Sequence, residues 1–523
     1  MSAKVIAIGL DAGDPVLLER WMDAGLLPGL DGLRRAGAWG RLVGGDHYRA
    51  EAVWTTLLTG CSPERTGYWT ALTFDPEAYG VHDRGAYDYE EHPPFYALGE
   101  GRRVAAVDLP QARLSAEVDG LQVLAWGAHS PQAPSSSSPP ELFDELVDRH
   151  GRHPGLLKDH ATFWNPVAVA RLRRALRVGT RRRVEVCRDL LAREPWDLFV
   201  TVFSETHSAG HFLWHLSDAT GHPVRGTRAE DALLEVFQAV DGAVQEVVAA
   251  AGDDAAVVVF SPQGMESNSM DLPSLVFLPE LCYRLSFPGR RALGPGADGP
   301  PPPVLRHPRA LTWERWLWRH RDRTGAEGLR PPRDCGELSY QPAMWFSDLW
   351  PEMRAFALPS FSEGYVRVNL AGRERDGIVP PDEYQAVCAE IEERLHELRD
   401  PRTGRPVVSE VLRPRSSPDD RTPGLPDADL VVCWHSGVWD VVDSPAVGRI
   451  GPVPFGRTGS HVHRGFIAVR GPGAAPGSHL PDGRVTDVAA TVLDLVGAPP
   501  RRPIDGRPLL AHAEPRGVRP GAT

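Results

Sequence analysis

His207-Ser-Ala-Gly-His211 sets two imidazoles four residues apart. In a helix that spacing puts both rings on one face, where they can share a single metal ion. It also suits two packed histidines on an ordinary helix, so the motif alone leaves both readings open. His215 extends the face by a further turn and reads as a packing or supporting residue, since a fourth protein ligand would close the site. Two more polar clusters follow apolar runs directly: Asp11 after residues 5–10, and Ser261-Pro-Gln-Gly264 after residues 255–260. Asp11 reads as a functional carboxylate or as a helix N-cap.

The elements that must position these groups are legible in outline. Apolar runs at 5–10, 103–108, 196–203, 255–260 and 430–434 are interspersed with helical patterns at 16–37, 167–193 and 228–251. Buried parallel strands read as continuous apolar runs, and their alternation with helices predicts an α/β fold with a mainly parallel central sheet flanked by helices. Ligands of such sheets bind beyond the carboxyl ends of the strands. Asp11, residues 204–211 and residues 261–264 fall at those ends.

Composition narrows the class. The 523 residues are 42% hydrophobic and 24% charged, with a net charge of −12, which excludes a disordered tail or a small disulfide scaffold. Dispersed acidity disfavours a nucleic-acid polymer as partner. Of 57 basic residues only Lys4 and Lys158 are lysines, so any single arginine is by default an ordinary one. The six cysteines form no CxxC pair, and the opening apolar run is too short for a signal peptide or a membrane span. The expectation is a cytoplasmic protein without a membrane partner; its oligomeric state is not legible. Gly294-Pro-Gly-Ala-Asp-Gly-Pro-Pro-Pro-Pro303 and the tryptophans after it divide the chain into a core (1–280), a Pro/Trp-rich insertion or cap (281–345) and a second core segment (346–523).

Several pieces together, in order and spacing, carry a family likeness. They include Ile8-Gly-Leu-Asp-Ala-Gly13, Trp54-Thr-Thr-Leu-Leu-Thr-Gly60, Pro63-Glu-Arg-Thr-Gly67, Gly364-Tyr-Val-Arg-Val-Asn-Leu370, Gly459-Ser-His461 and Ile504-Asp-Gly506. The chain resembles the type I phosphodiesterase and nucleotide pyrophosphatase family of the alkaline phosphatase superfamily, and this implies an alkaline-phosphatase-like core. The resemblance further implies two metal ions. One is held by an N-terminal Asp, an Asp-His pair and a nucleophilic Thr or Ser; the other by Asp-x-x-x-His and a late His.

Residue by residue, the first of these sites is depleted. Asp11 matches the N-terminal ligand, but the nucleophile slot falls on Ala50, and Ser261-Pro262-Gln263-Gly264 stands where the Asp-His pair would be. A lone carboxylate does not hold a divalent ion against water. In the second site His207 replaces the Asp, and His211 and His461 match the remaining ligands. The implied cofactor is one divalent transition metal on three imidazoles, zinc or else manganese or iron. Cys61-Ser-Pro-Glu-Arg65 has the sulfatase modification pattern, but it follows Thr59-Gly60, outside the nucleophile register.

The resulting expectation is a divergent metal-dependent hydrolase or group transferase acting on a small anionic phosphate or sulfate ester. Without a hydroxyl at position 50, attack must come directly from water or from a hydroxyl or amine of a second substrate. Asp11 is the first candidate for general base, with Glu205, Glu51 and His463 as rivals. Gln263 and Arg49 are placed to bind substrate oxygens, along with Glu51 and His463. The alternative is a catalytically inactive relative that binds a phosphorylated ligand. An alanine introduced at position 50 to trap substrate would leave Pro262-Gln263 unexplained.

Overall fold

Side chains of the first strand, Ala3–Leu10, alternate between two apolar layers in the computed structural model: Ile6, Ile8 and Leu10 enter one, Val5 and Ala7 the other. The structure describes residues 3–43, 50–127, 133–155, 166–222, 231–294 and 312–510; Arg49 and most of the proline-rich run lie outside them.

The strand sits at the centre of a nine-stranded sheet. The order is Ser478–His479, Ala38–Val43, Arg464–Arg470, Ala256–Ser261, Ala3–Leu10, Trp196–Phe203, Arg103–Val107, Asp119–Leu124 and Ser136–Ser138. The five strands from Ala256–Ser261 to Asp119–Leu124 are mutually parallel. Arg464–Arg470 runs antiparallel to both its neighbours, and Ser136–Ser138 closes the far edge antiparallel. Helices Pro15–Asp23, Pro28–Ala36, Pro166–Arg193 and Ala232–Ala251 cover one face; Val53–Thr59 and Val485–Val496 cover the other. The fold is therefore α/β with a mostly parallel central sheet flanked by helices.

Two readings of the sequence are corrected. Residues 16–37 form two helices rather than one amphipathic stretch, because Gly25 turns left-handed at φ 72° and Pro28 restarts the chain at the first turn of the second helix. Leu430–Trp434 belongs to a separate antiparallel sheet, in the order Ala355–Leu358, Gly364–Val368, Leu430–Trp434, Val408–Leu412. Its uninterrupted burial looks like a central parallel strand, but an antiparallel strand covered on both faces is equally apolar. Leu281, Trp313 and Trp345 from the tryptophan-rich segment join Val366 and Val431 in one apolar cluster.

Candidate metal centre

The strand Trp196–Phe203 passes directly into the helix Glu205–Leu213, which places His207 and His211 one turn apart on the same face. His461 arrives from the strand Gly459–Val462, paired with Gly264–Ser267 so that Met265 lies opposite it. Gly459 makes the approach possible, since a Cβ there would overlap the Gly210 carbonyl of the helix.

The three rings converge through their Nε2 atoms. His207 Nε2 lies 3.1 Å from His211 Nε2 and 3.2 Å from His461 Nε2. Two ligand nitrogens of a tetrahedral zinc ion, each bound at about 2.0–2.1 Å, are separated by about 3.3 Å, so the spacing fits an ion. His211 Nδ1 donates to the Gly459 carbonyl at 2.8 Å, which puts the ring proton on Nδ1 and the lone pair on Nε2. Arg457 Nη1 reaches the same Nε2 at 3.2 Å, while its Nε donates to Asp271 Oδ2 at 2.7 Å. That carboxylate offsets the guanidinium charge beside the histidines. His215 supports the assembly: its Nδ1 lies 3.0 Å from Thr458 Oγ1, and the Thr458 N–H donates to the His211 carbonyl at 2.8 Å.

The depleted slot is organised differently. Asp11 is fully buried and its Oδ1 accepts from the Trp54 indole at 2.9 Å. It does not cap the next helix; Asp14 does, accepting from the Leu17 N–H at 3.0 Å. Ser261 Oγ accepts from the Gly13 N–H at 2.9 Å and donates to the Gln263 carbonyl at 2.7 Å, tying the two strand ends together. Ala50 opens a short turn before Val53–Thr59.

Of the candidate bases, Glu205 is enclosed between His153 Nε2 at 3.0 Å and Arg183 Nε at 3.2 Å. Burial alone would push its carboxyl up, but the Arg183 charge and the His153 bond outweigh it and hold the group down at about 2. So low a value makes it a feeble base. Arg183, itself fully buried, also pairs with Asp108 at 2.7 Å, and the pair anchors the start of the histidine helix. Glu51 accepts from Thr70 Oγ1, Ser360 Oγ and the Phe361 N–H at 2.6, 2.8 and 2.7 Å; its carboxyl is pushed up by burial, against those donors.

His463 is the remaining candidate. It lines a cavity of about 740 Å³ with Gln263, Thr486, Arg65 and Arg484. Its Nε2 lies 2.8 Å from Oε1 of the buried Glu363. Gln263 Oε1 and Thr486 Oγ1 are buried and make no hydrogen bond to any described residue. Cys61 is buried with its thiol pushed up to about 11 by desolvation, an inert packed residue.

Arg457, Asp271 and Glu363 were not singled out in the sequence. Asp271 has one local signal, the polar run Ser267-Asn-Ser-Met-Asp271 directly after a strand; Arg457 and Glu363 have none.

A doubly flanked, mostly parallel sheet with a histidine cluster beyond its strand ends defines an α/β protein that places its candidate site where such sheets bind ligands. The chain belongs to the type I phosphodiesterase/nucleotide pyrophosphatase family, whose sequence profile matches residues 5–427. That family comprises phosphoester hydrolases. No curated protein sequence matches the chain significantly. Among solved structures, a mutant of the alkaline phosphatase PafA is 12% identical, covering 97% of this chain and 99% of its own, with a TM-score of 0.51. Phosphonoacetate hydrolase from Sinorhizobium meliloti 1021, in complex with phosphonoformate, is 15% identical, covering 95% and 96%, with a TM-score of 0.48. An inactive murine ectonucleotide pyrophosphatase/phosphodiesterase 5 in complex with AMP is 11% identical, covering 98% and 100%, with a TM-score of 0.49. Among the described residues no helix is long and apolar enough to cross a membrane.

Proposed function

We propose that this chain is a metal-dependent hydrolase or group transferase for small phosphate or sulfate esters, using one ion and no covalent enzyme intermediate. The observation that carries the reading is the convergence of His207, His211 and His461 through Nε2 atoms spaced 3.1 and 3.2 Å apart, in the tautomer that presents a lone pair at His211. Held there, a divalent ion such as zinc, or manganese or iron, supplies Lewis acidity toward an ester oxygen and makes water more acidic. Arg457 takes up the anionic group of the ester once its N–H turns away from His211. Arg457 thus fills the role expected of Arg49.

Ala50 brings no hydroxyl, so the attacking group is water or the hydroxyl or amine of an acceptor. His463 accepts its proton. The Glu363 carboxylate fixes the imidazole proton on Nε2 and leaves Nδ1 as the basic nitrogen, the arrangement by which a carboxylate orients a general base. Gln263 Oε1 and Thr486 Oγ1 offer the acceptor hydrogen bonds in the adjoining cavity. Asp11, held by Trp54, keeps the first strand end in place rather than moving a proton. The insertion 281–345, which brings Trp313 and Tyr340 beside Arg457, acts as the cap.

Elemental mass spectrometry of the untagged protein and of His207→Ala, His211→Ala and His461→Ala tests the reading. The expected result is about one transition metal per chain, lost in each variant. Two metals would overturn the single-ion site. None in any preparation would overturn the enzyme and favour a catalytically inactive protein that binds a phosphorylated ligand.

A further inference from the structure

We propose that a second, smaller cavity beside the three histidines receives a primary ammonium group carried by this protein's ligand. The cavity, about 130 Å³, is walled by Asp271, Trp313, Glu314, Tyr340, Phe361 and Arg457, among others. Arg457 connects it to the metal centre, since Nη1 lies 3.2 Å from His211 Nε2.

Asp271 supplies the first argument. It is only 4% exposed, and its Oδ2 accepts from Arg457 Nε at 2.7 Å and from Asn268 Nδ2 at 3.0 Å. Its Oδ1 is shielded from solvent and accepts no hydrogen bond from any described residue. A buried carboxylate oxygen stripped of water and given no donor is a strong demand for one, and the residue lines the cavity from which a ligand would bring it.

Charge and ring chemistry choose among donors. Asp271 and Glu314 outnumber Arg457, so the wall carries one negative charge in excess. Tyr340 and Phe361 are stacked at 5.7 Å and 13°, and Trp313 adds a third aromatic ring. Aromatic faces and net negative charge favour a cation. A quaternary ammonium satisfies the charge but cannot donate to Oδ1, and a hydroxyl donates but carries no charge; a primary ammonium does both. A ligand with its anionic group at the histidines and a short aminoalkyl chain would span both places. That placement of the anionic end rests on the ester reading above; the ammonium preference of the cavity does not.

Isothermal titration calorimetry of the full chain, as isolated and after chelation, tests the inference with O-phosphoethanolamine, phosphocholine and ethyl phosphate. O-Phosphoethanolamine is expected to bind about tenfold more tightly than ethyl phosphate, with phosphocholine between them, as a charge-assisted hydrogen bond implies. Asp271→Asn removes the charge and exchanges one acceptor oxygen for an NH2 group, so the preference should vanish. Tyr340→Leu should weaken the preference. If Asp271→Asn does not fold, the wild-type series and Tyr340→Leu still decide. Equal affinities, a preference that survives Asp271→Asn, or no binding by any of the three would overturn the inference. An ammonium preference in protein that turns over no ester would retain the cavity and remove the ester reading. Metal-dependent turnover without the preference would do the reverse.

Discussion

The two ligand slots at the strand ends have diverged in opposite directions on one scaffold. At the histidine slot three Nε2 atoms point at one another, and Arg183 keeps the nearby Glu205 ionised. At the depleted slot Asp11 is held by an indole, Ser261 bonds to neighbouring backbone, and Glu51, with neutral donors only, is pushed toward its protonated form. Three imidazole nitrogens this close can share a cation, or pass an N–H between rings without one. At the other slot Asp11 Oδ1 is held by Trp54 and Ser261 is tied to backbone, while Gln263 Oε1 accepts no hydrogen bond from any described residue. On the reading proposed above, the histidine slot holds one ion and the other slot holds none.

The largest effect should come from the cation that sustains this asymmetry. Arg183→Met removes the cation bonded to the buried carboxylates of Asp108 and Glu205, so stability in urea unfolding should drop by about 3–5 kcal/mol. The histidine helix begins at Glu205, so the variant should also bind metal less tightly. A loss below about 1 kcal/mol would mean that the pair does not anchor the helix, since ordinary surface changes are of that size.

Next in size is a change confined to the histidine slot. Gly459→Ala drives a methyl into the Gly210 carbonyl and lifts the strand carrying His461 away from the helix. It also displaces the carbonyl that fixes the His211 tautomer. Loss of such a supporting contact lowers metal affinity by about 10–100-fold, to be read by competition with a chromogenic chelator. Unchanged affinity would show that the strand and helix are not held in register by that contact, and the contrast between the slots would lose its structural basis.

What could be seen in the residues follows the range of the interactions. His207 and His211 were legible because i and i+4 neighbours on a helix are a local matter. His461 is 250 residues further on than His211 and came into view only through a family likeness. The central strands showed themselves through apolar runs, whereas Leu430–Trp434 was misassigned because burial on both faces does not reveal whether the neighbours are parallel. Arg457 was hidden among 55 arginines, and Glu363 and Asp271 acquire their significance only from enclosure by segments distant in sequence. In the sequence Asp11 reads as a candidate helix cap, but the capping carboxylate is Asp14, three residues on.

The last pair of effects, of which that at Glu51 is the smallest, is also the sharpest discriminator between the slots, because it concerns sign. Glu205 titrates in the folded protein at about 2, below its unfolded value, so its contribution is present above that unfolded value and is lost as pH falls through about 2. The penalty of Glu205→Gln should therefore shrink as pH is lowered from 5 to 3. Glu51 is shifted the other way by burial, so its contribution is present below the unfolded value, near 4.3, and is lost as pH rises through the raised folded value. Glu51→Gln should gain on the wild type as pH rises from 4 to 7, by about 1 kcal/mol or less. Urea unfolding from pH 3 to 7 gives both slopes. Two slopes of the same sign would mean that the carboxylates beside the slots share one electrostatic environment, and that the contrast between the slots does not extend to the charges around them.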